Sequence, residues 1–406
     1  MATRRLGILL VALLAAASSI VRADVVTEWN EKACNLVAKA GPGGPGHRMM
    51  AYVQVAVFEA VNAIQPRYTP YIGGINAPRD ASIDAAVAAA NRMTLLGVMP
   101  AEKAAIEDGY ARAIASIPEG PAKKDGIAVG EKAAALLLLR AGEDGMSAPD
   151  NYQWHTTPGR YVPTQIPAAA NYPRRKTWVL DSPSQFRPGP PPSLDSETWE
   201  KDFVEVKSLG AKNSTARTKE QTDIAMFWEE TRPLVYHPVI RSVADMPGRT
   251  VAQNARLFAV ATVAMEDSLI AVFDAKYHYN FWRPITAARM EHMAGKTKVA
   301  ADLGWSPYIT TPMHPEYPCA HCVEAGSVGA VLAAELGSNA MPVLTSTSPA
   351  FAPGMTRQWK TIGEYTDEVR MARINDGVHY RNSTVVGTEL GTKVGTLAAQ
   401  KFARPL

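Results

Sequence analysis

The chain has 406 residues, 47% hydrophobic and 20% charged, enough to bury a large core and far from the composition of a disordered protein. Its 42 Lys and Arg stand against 39 Asp and Glu; setting aside Arg4, Arg5 and Arg22 in the first 23 residues leaves 39 of each, so no net field draws the remainder toward nucleic acid or a membrane surface. Three cysteines, Cys34, Cys319 and Cys322, are too few for a disulfide scaffold.

Residues 1–23 read as an export signal, with a basic start at Arg4 and Arg5, an apolar run from Leu6 to Ile20, and a cleavage site at Val21-Arg22-Ala23. That run is shorter than the roughly 20 residues that span a bilayer, and no later run matches it. The mature protein is therefore expected outside the cytoplasm, periplasmic or extracellular, without a membrane segment. The paired arginines leave the general and twin-arginine routes both open.

From residue 24 to 145, apolar residues recur at three- and four-residue spacing in Met50 to Ile64, Ile83 to Leu96 and Ala128 to Leu139, which predicts packed helices. Residues 146–198 change character: Pro188 to Pro192 is broken only by Gly189, so regular helix is excluded and a segment wrapped over the surface or over a site is expected. Helical spacing returns in residues 199–406, from Trp199, through Thr218 to Trp228, and then over Val251 to Tyr279, Ala320 to Leu336 and Arg357 to Arg373. Strand-like alternation is nearly absent and no repeat has a fixed period, so the fold class is all-α, built from helix bundles.

Three segments of this C-terminal region concentrate cations and imidazoles. In the first, Lys276 and Arg283 are seven residues apart, two helical turns, which predicts projection from nearly one face, with Pro284 placing Arg283 at a helix end. Taken alone, such a pair reads more readily as surface cations with buried stems. In the second, His314-Pro-Glu-Tyr-Pro318-Cys319-Ala320-His321-Cys322 leads into a small-residue helix whose free amides suit an oxyanion, with His321 placed to move a proton. In the third, Asn375-Asp376-Gly377 is a turn signal that lets Arg373 and His379 face one pocket. Together they offer two imidazoles and three permanent cations with few carboxylates in view. Each close cation would attract an anion by roughly 4 kcal/mol at an effective dielectric of ~20, before desolvation.

These segments resemble the three-part signature of the vanadium-dependent haloperoxidase and type 2 phosphatidic acid phosphatase superfamily, in which Lys, six residues and Arg-Pro are followed by Pro-Ser-Gly-His and then by Ser-Arg, five residues, His, three residues, Asp. Lys276, Arg283, Pro284, Pro318, His321, Arg373 and His379 match in type and spacing. A weaker likeness runs upstream through residues 186–193, 205–207 and 221–228, as in soluble bacterial haloperoxidase-like proteins. The resemblance implies the superfamily's helix-bundle fold. It also implies that Lys276, Arg283 and Arg373, with the Cys319-Ala320 helix start, hold vanadate or phosphate, and that His379 is the vanadium ligand or phosphate nucleophile. His321 becomes the acid-base group. The implied cofactor is vanadate, and the implied substrates are peroxide and halide, or a phosphate ester.

Four positions depart from the pattern or lie beside it. Cys319-Ala320 stands for Ser-Gly, Ala372 for the Ser before Arg373, and Ser383 for the terminal Asp. Loss of that Asp removes the carboxylate that would orient His379, which harms phosphoryl transfer more than passive vanadate binding and favours a peroxidase. Cys319 and Cys322 read either as a redox pair at a helix start or as a Ser substitute beside a buried thiol. A free, exposed thiolate would be attacked by peroxide and hypohalite. His314, where bromide-preferring members of the family are similar, points to bromide over chloride. Three readings follow: a vanadate-dependent haloperoxidase, a soluble phosphatase of the same fold, and an idle oxyanion binder. Zinc chemistry is disfavoured because the eight histidines lack a helical pair with a carboxylate.

Overall fold

Caps and first-turn prolines mark where the helices begin. Asp24 accepts from Thr27 N to open α1 (Val25–Val37), and Ser82 does the same for α3 (Ile83–Val98). Thr218 with Gln221, and Thr250 with Gln253, form complete capping boxes at α7 (Lys219–Phe227) and α9 (Val251–Tyr279). Proline supplies the first residue of α2 (Pro45–Ile64), α5 (Pro121–Ala141), α8 (Pro233–Ala244) and α10 (Pro284–Ala294). The remaining helices are α4 (Lys103–Ala115), α6 (Glu197–Leu209), α11 (Ala320–Leu336), α12 (Ile362–Asn375) and α13 (Arg381–Lys401). This computed structural model describes residues 24–41, 45–149, 152–153, 155, 157–294 and 300–406; the segment read as an export signal lies outside them.

Among the described residues the chain is all-α apart from one hairpin, in which β1 (Leu344–Ser348) pairs antiparallel with β2 (Ala352–Trp359), Leu344 opposite Trp359. The expected helix from Arg357 to Arg373 therefore starts later. Arg357 to Trp359 belong to β2, and Thr361 Oγ1 accepts from Glu364 N to open α12. No described helix is long and apolar enough to cross a membrane.

The long α9 is the central post: every residue from Leu257 to Phe273 is buried. The largest apolar cluster joins α2, α3 and α5 to α8, α9 and α11, so helices from both ends of the chain share one core. Against this post, α11 and α13 pack backbone to backbone. Gly387, Gly391 and Gly395 recur at four-residue spacing on α13, and a Cβ on Gly387 would lie 2.6 Å from Cys319 O. Added methyl groups at Gly391 and Gly395 would meet the carbonyls of Val323 and Ser327. This glycine face fixes the start of α11, which carries His321, against the helix that follows His379.

Candidate active site

Residues 157–161 pin the turn that carries Arg283. Helix α9 stops at Tyr279 because Asn280 turns left-handed (φ 53°, ψ 42°), and Asn280 O accepts from Tyr161 N at 2.9 Å while Trp282 N donates to Gly159 O at 3.1 Å. Arg283 therefore reaches the site from an extended link between α9 and α10, which corrects the expectation of two cations two turns apart on one continuous helix. Its Nε donates to His314 O at 2.9 Å and its Nη1 to Val378 O at 2.8 Å. Lys276, fully buried on the last turn of α9, donates to Pro315 O and Glu316 O at 3.0 and 2.7 Å.

The third segment doubles back as its turn residues predict. Gly377 sits at φ 87°, and His379 N donates to Arg373 O at 3.1 Å, which brings both side chains to one cavity. That cavity is about 320 Å³ and is walled by His314, Ala320, His321, Arg373 and His379. Residues of the proline-rich segment, Ala168 to Arg175, complete the wall from outside α9. Lys276 and Arg283 lie behind the lining, Arg283 Nη1 being 3.2 Å from His379 Nε2. Cys319 also stays out of the wall: its amide donates to Ser383 O at 3.2 Å and its sulfur accepts from Cys322 N, so it caps α11. Of the expected Cys319-Ala320 oxyanion contact, only Ala320 faces the cavity. All three cysteines are buried free thiols, so neither Cys319 nor Cys322 meets the cavity contents.

The expectation that His379 lacks a carboxylate, and that few carboxylates stand near, is corrected. His379 Nδ1 lies 2.7 Å from Glu316 Oε1, and both side chains are buried. Ser383 Oγ is 3.5 Å from the same nitrogen, a poor second partner. A guanidinium can only donate, so Arg283 Nη1 meets the lone pair of Nε2 and the ring proton sits on Nδ1, given to Glu316. Asp376 Oδ2 likewise holds Arg373 Nη1 at 2.9 Å, leaving Arg373 Nε without a partner. Glu316 lay inside a quoted segment between two prolines, and only the folded turn reveals which imidazole it serves.

The electrostatics describe a place built for an anion. Burial, then Arg283, holds the Lys276 amine well below its ordinary range, and burial pushes Arg283 down to about 10. Burial and the neighbouring cations hold His314, His321 and His379 well below the usual imidazole value, so all three are neutral. Burial raises Glu316 to about 7 against the pull of Lys276 and Arg283. His321 Nε2 and Arg373 Nε, both on the cavity wall, are buried without hydrogen-bond partners. An orphaned guanidinium donor, three crowded cations and neutral imidazoles with a free ring nitrogen suit a tetrahedral oxyanion such as vanadate or phosphate, so the residues fit that group.

Four further groups that no motif announced share the cavity wall: His47 on α2, Glu324 one turn beyond His321 on α11, and Tyr172 and Arg175 of the proline-rich segment. Their signal is three-dimensional only.

Comparison with known proteins bears on the fold. Residues 256–406 match the family model of the VCPO second helical-bundle domain. A vanadium chloroperoxidase of Curvularia inaequalis is 27% identical over 256 residues, covering 49% of this chain; the chain matches only 41% of that relative's length. Among solved structures, a bacterial vanadium-dependent iodoperoxidase superposes with a TM-score of 0.76 at 21% identity, over 94% of this chain and 98% of the other. A bacterial vanadium-dependent chloroperoxidase gives 0.70 at 17% identity, over 91% and 92%. The fold is theirs.

Proposed function

We propose that this chain, which belongs to the superfamily of vanadium-dependent haloperoxidases and type 2 phosphatidic acid phosphatases, is an exported vanadate-dependent haloperoxidase that uses peroxide to oxidise halide, bromide in preference to chloride. The observation that carries the reading is the neutral His379 on the cavity wall, its ring held by Glu316 at Nδ1 and by Arg283 at Nε2, with Arg373 on the same wall and Arg283 and Lys276 behind it. Bound vanadate would supply the Lewis acidity that makes peroxide an oxidant for halide. The chain's own work would be to hold that group through His379 Nε2, with Arg283 Nη1 turning from that nitrogen to the group's oxygens, to neutralise those oxygens with Lys276, Arg283 and Arg373, and to move a proton at His321 Nε2. Buried walls such as Leu269 and Phe273 keep bulk water low. The buried position of Cys319 and Cys322 supports the same reading, since thiols kept off the cavity escape the oxidant made there.

One observation favours a second reading. The Glu316–His379 pair restores the carboxylate a histidine nucleophile needs, so a phosphatase in which His379 attacks phosphorus and His321 protonates the leaving alcohol remains chemically complete. The test is bromination of a phenol dye by purified protein with bromide and peroxide, with and without orthovanadate, beside hydrolysis of an aryl phosphate. Bromination that requires vanadate establishes the peroxidase. Hydrolysis that vanadate abolishes establishes the phosphatase, and silence in both leaves an oxyanion binder.

A further inference from the structure

The cavity has a second polar end. His47 Nε2 lies 2.9 Å from Glu324 Oε1 and 2.8 Å from Thr231 O, with both side chains almost wholly buried and on the cavity wall. The Nε2 proton is donated to Thr231 O, Glu324 Oε1 being an ion-pair neighbour without a hydrogen-bond partner, and His47 Nδ1 has no partner either. Glu324 is three residues after His321, one turn along the same face of α11, so the ion pair and the acid-base imidazole open onto the same space. Two carboxylates on two other helices, and not one, stand near His47, since Glu266 of α9 adds its field.

We propose that His47 and Glu324 form a proton reservoir that feeds the active-site cavity, giving up one proton per halide oxidised. The inference rests on the haloperoxidase reading. When peroxide oxidises a halide, the halide gives two electrons to the O–O bond; that bond breaks, a halogen–oxygen bond forms, and the departing hydroxide must take a proton to leave as water. Each turnover thus consumes one proton. The three imidazoles at the catalytic end are held neutral and bring no net proton of their own. His47 is the buried imidazole on the cavity wall held the other way: burial disfavours its charge, but Glu324 and then Thr231 O and Glu266 raise it to about 8, so it is protonated at neutral pH. The proton leaves from Nδ1, the ring nitrogen without a partner, while the Glu324 carboxylate beside Nε2 sustains the charge, and it crosses the cavity, whose 320 Å³ holds on the order of ten waters at about 30 Å³ each. The emptied imidazole is recharged from solvent.

The groups facing His47 from each packed element set this balance. Glu324 and Glu266 favour the charge from α11 and α9. From α8, Tyr236 presents its ring at 6.0 Å and the neutral His237 stands behind. From the proline-rich segment, Arg175 is tied to Glu266 at 3.2 Å beside Tyr172, and on α2 itself Arg48 is 3.1 Å from Asp144 and 3.6 Å from Glu266. The two arginines are thus compensated by carboxylates, while His321 and Arg373 stand on the same wall at the catalytic end.

Glu324→Gln separates relay from scaffold, because the amide has the shape of the carboxylate and leaves the His47 Nε2–Thr231 O hydrogen bond in place while the charge is gone. Histidine-labelled full-length protein, titrated by NMR with His47→Gln to assign the resonance, should show His47 titrating near pH 8 in wild type and at least about one unit lower in Glu324→Gln. The alkaline limb of kcat for bromination should move by the same amount, about a fivefold loss at pH 8 that approaches tenfold above it, with peroxide KM and vanadate affinity unchanged; Glu324→Asp should restore the limb. A wild-type enzyme that brominates while Glu324→Gln leaves that limb in place overturns the reservoir alone. A wild-type protein without bromination at any pH overturns the functional reading and the reservoir with it, although the His47 titration would still be seen.

Discussion

The Glu316 carboxylate sits 2.7 Å from His379 Nδ1 although the two residues are 63 apart in sequence, and the same oxygen accepts from Tyr380 N at 3.1 Å. One carboxylate thus fixes both the ring proton and the backbone beside it. Replacing Glu316 with Gln should cost about 10- to 100-fold in vanadate affinity or turnover, the usual effect of removing a partner behind a ligating imidazole. Because Ser383 Oγ already lies 3.5 Å from the same nitrogen, adding Ser383→Asp to that variant should recover part of the loss. Vanadate titration by thermal shift and bromination kinetics check both; a Glu316→Gln enzyme within twofold of wild type would show that His379 is oriented by something else.

Arg373 and His379 stand on the cavity wall with fully buried side chains, one a cation with a free Nε edge and the other a neutral base. Arg373→Ala and His379→Ala are expected to abolish turnover, at least ~100-fold for the arginine, the usual effect of removing one charge-stabilising donor. Arg373→Lys should stay far below wild type, because an ammonium cannot both hold Asp376 and present a second donor edge. Folding is checked by circular dichroism, and full turnover in either alanine variant would remove the residue from the site.

Much of this was legible before folding. Helical spacing located α9 and α11 to the residue, and the Asn375-Asp376-Gly377 signal foretold the turn that joins Arg373 to His379, since periodicity and turn chemistry are local properties. The hairpin was not legible, because β1 buries alternate residues but two of the three, Ser346 and Ser348, are polar, and β2 buries only Ala352 and Trp359 at its ends. Helix α8 was hidden by Pro233 and Pro238. Glu316, His47 and Glu324 owe their roles to partners at least 63 residues away, a kind of information that spacing along one segment does not carry.

Crowded cations make the anion-free site costly, so a bound oxyanion should stabilise the fold. At a concentration 100 times its dissociation constant, orthovanadate or phosphate is expected to add about 2.7 kcal/mol. Acid should sharpen the contrast. His314, His321 and His379 are held below the ordinary 6.5, so their contribution is complete above that pH and is lost as pH falls toward the folded values, where unfolding takes up protons. Glu316, raised from 4.5 to about 7, runs oppositely, its contribution being lost as pH rises through 7. An anion raises the imidazole values and should therefore flatten the acid loss. Urea midpoints from pH 7.5 to 5 with and without phosphate measure this; parallel curves would contradict an anion beside these imidazoles.

His314 joins the halide question to the cation set. Its ring packs edge-on against Phe273 at 5.1 Å, its Nδ1 is 3.0 Å from Arg283 Nη2, and it lines the cavity as a neutral group. His314→Phe keeps an aromatic ring against Phe273 but removes the acceptor for Arg283 Nη2, freeing one guanidinium donor toward the cavity while making the wall more apolar. The freed guanidinium donor offsets the higher cost of stripping water from chloride, the smaller and more strongly hydrated ion. The variant is expected to raise the chloride-to-bromide ratio of kcat/KM by about tenfold, or roughly 1.4 kcal/mol of differential transition-state stabilisation. Competition between the two halides at fixed peroxide and vanadate measures that ratio directly. An unchanged ratio would place halide selection elsewhere on the wall and leave His314 as a partner of Arg283 only.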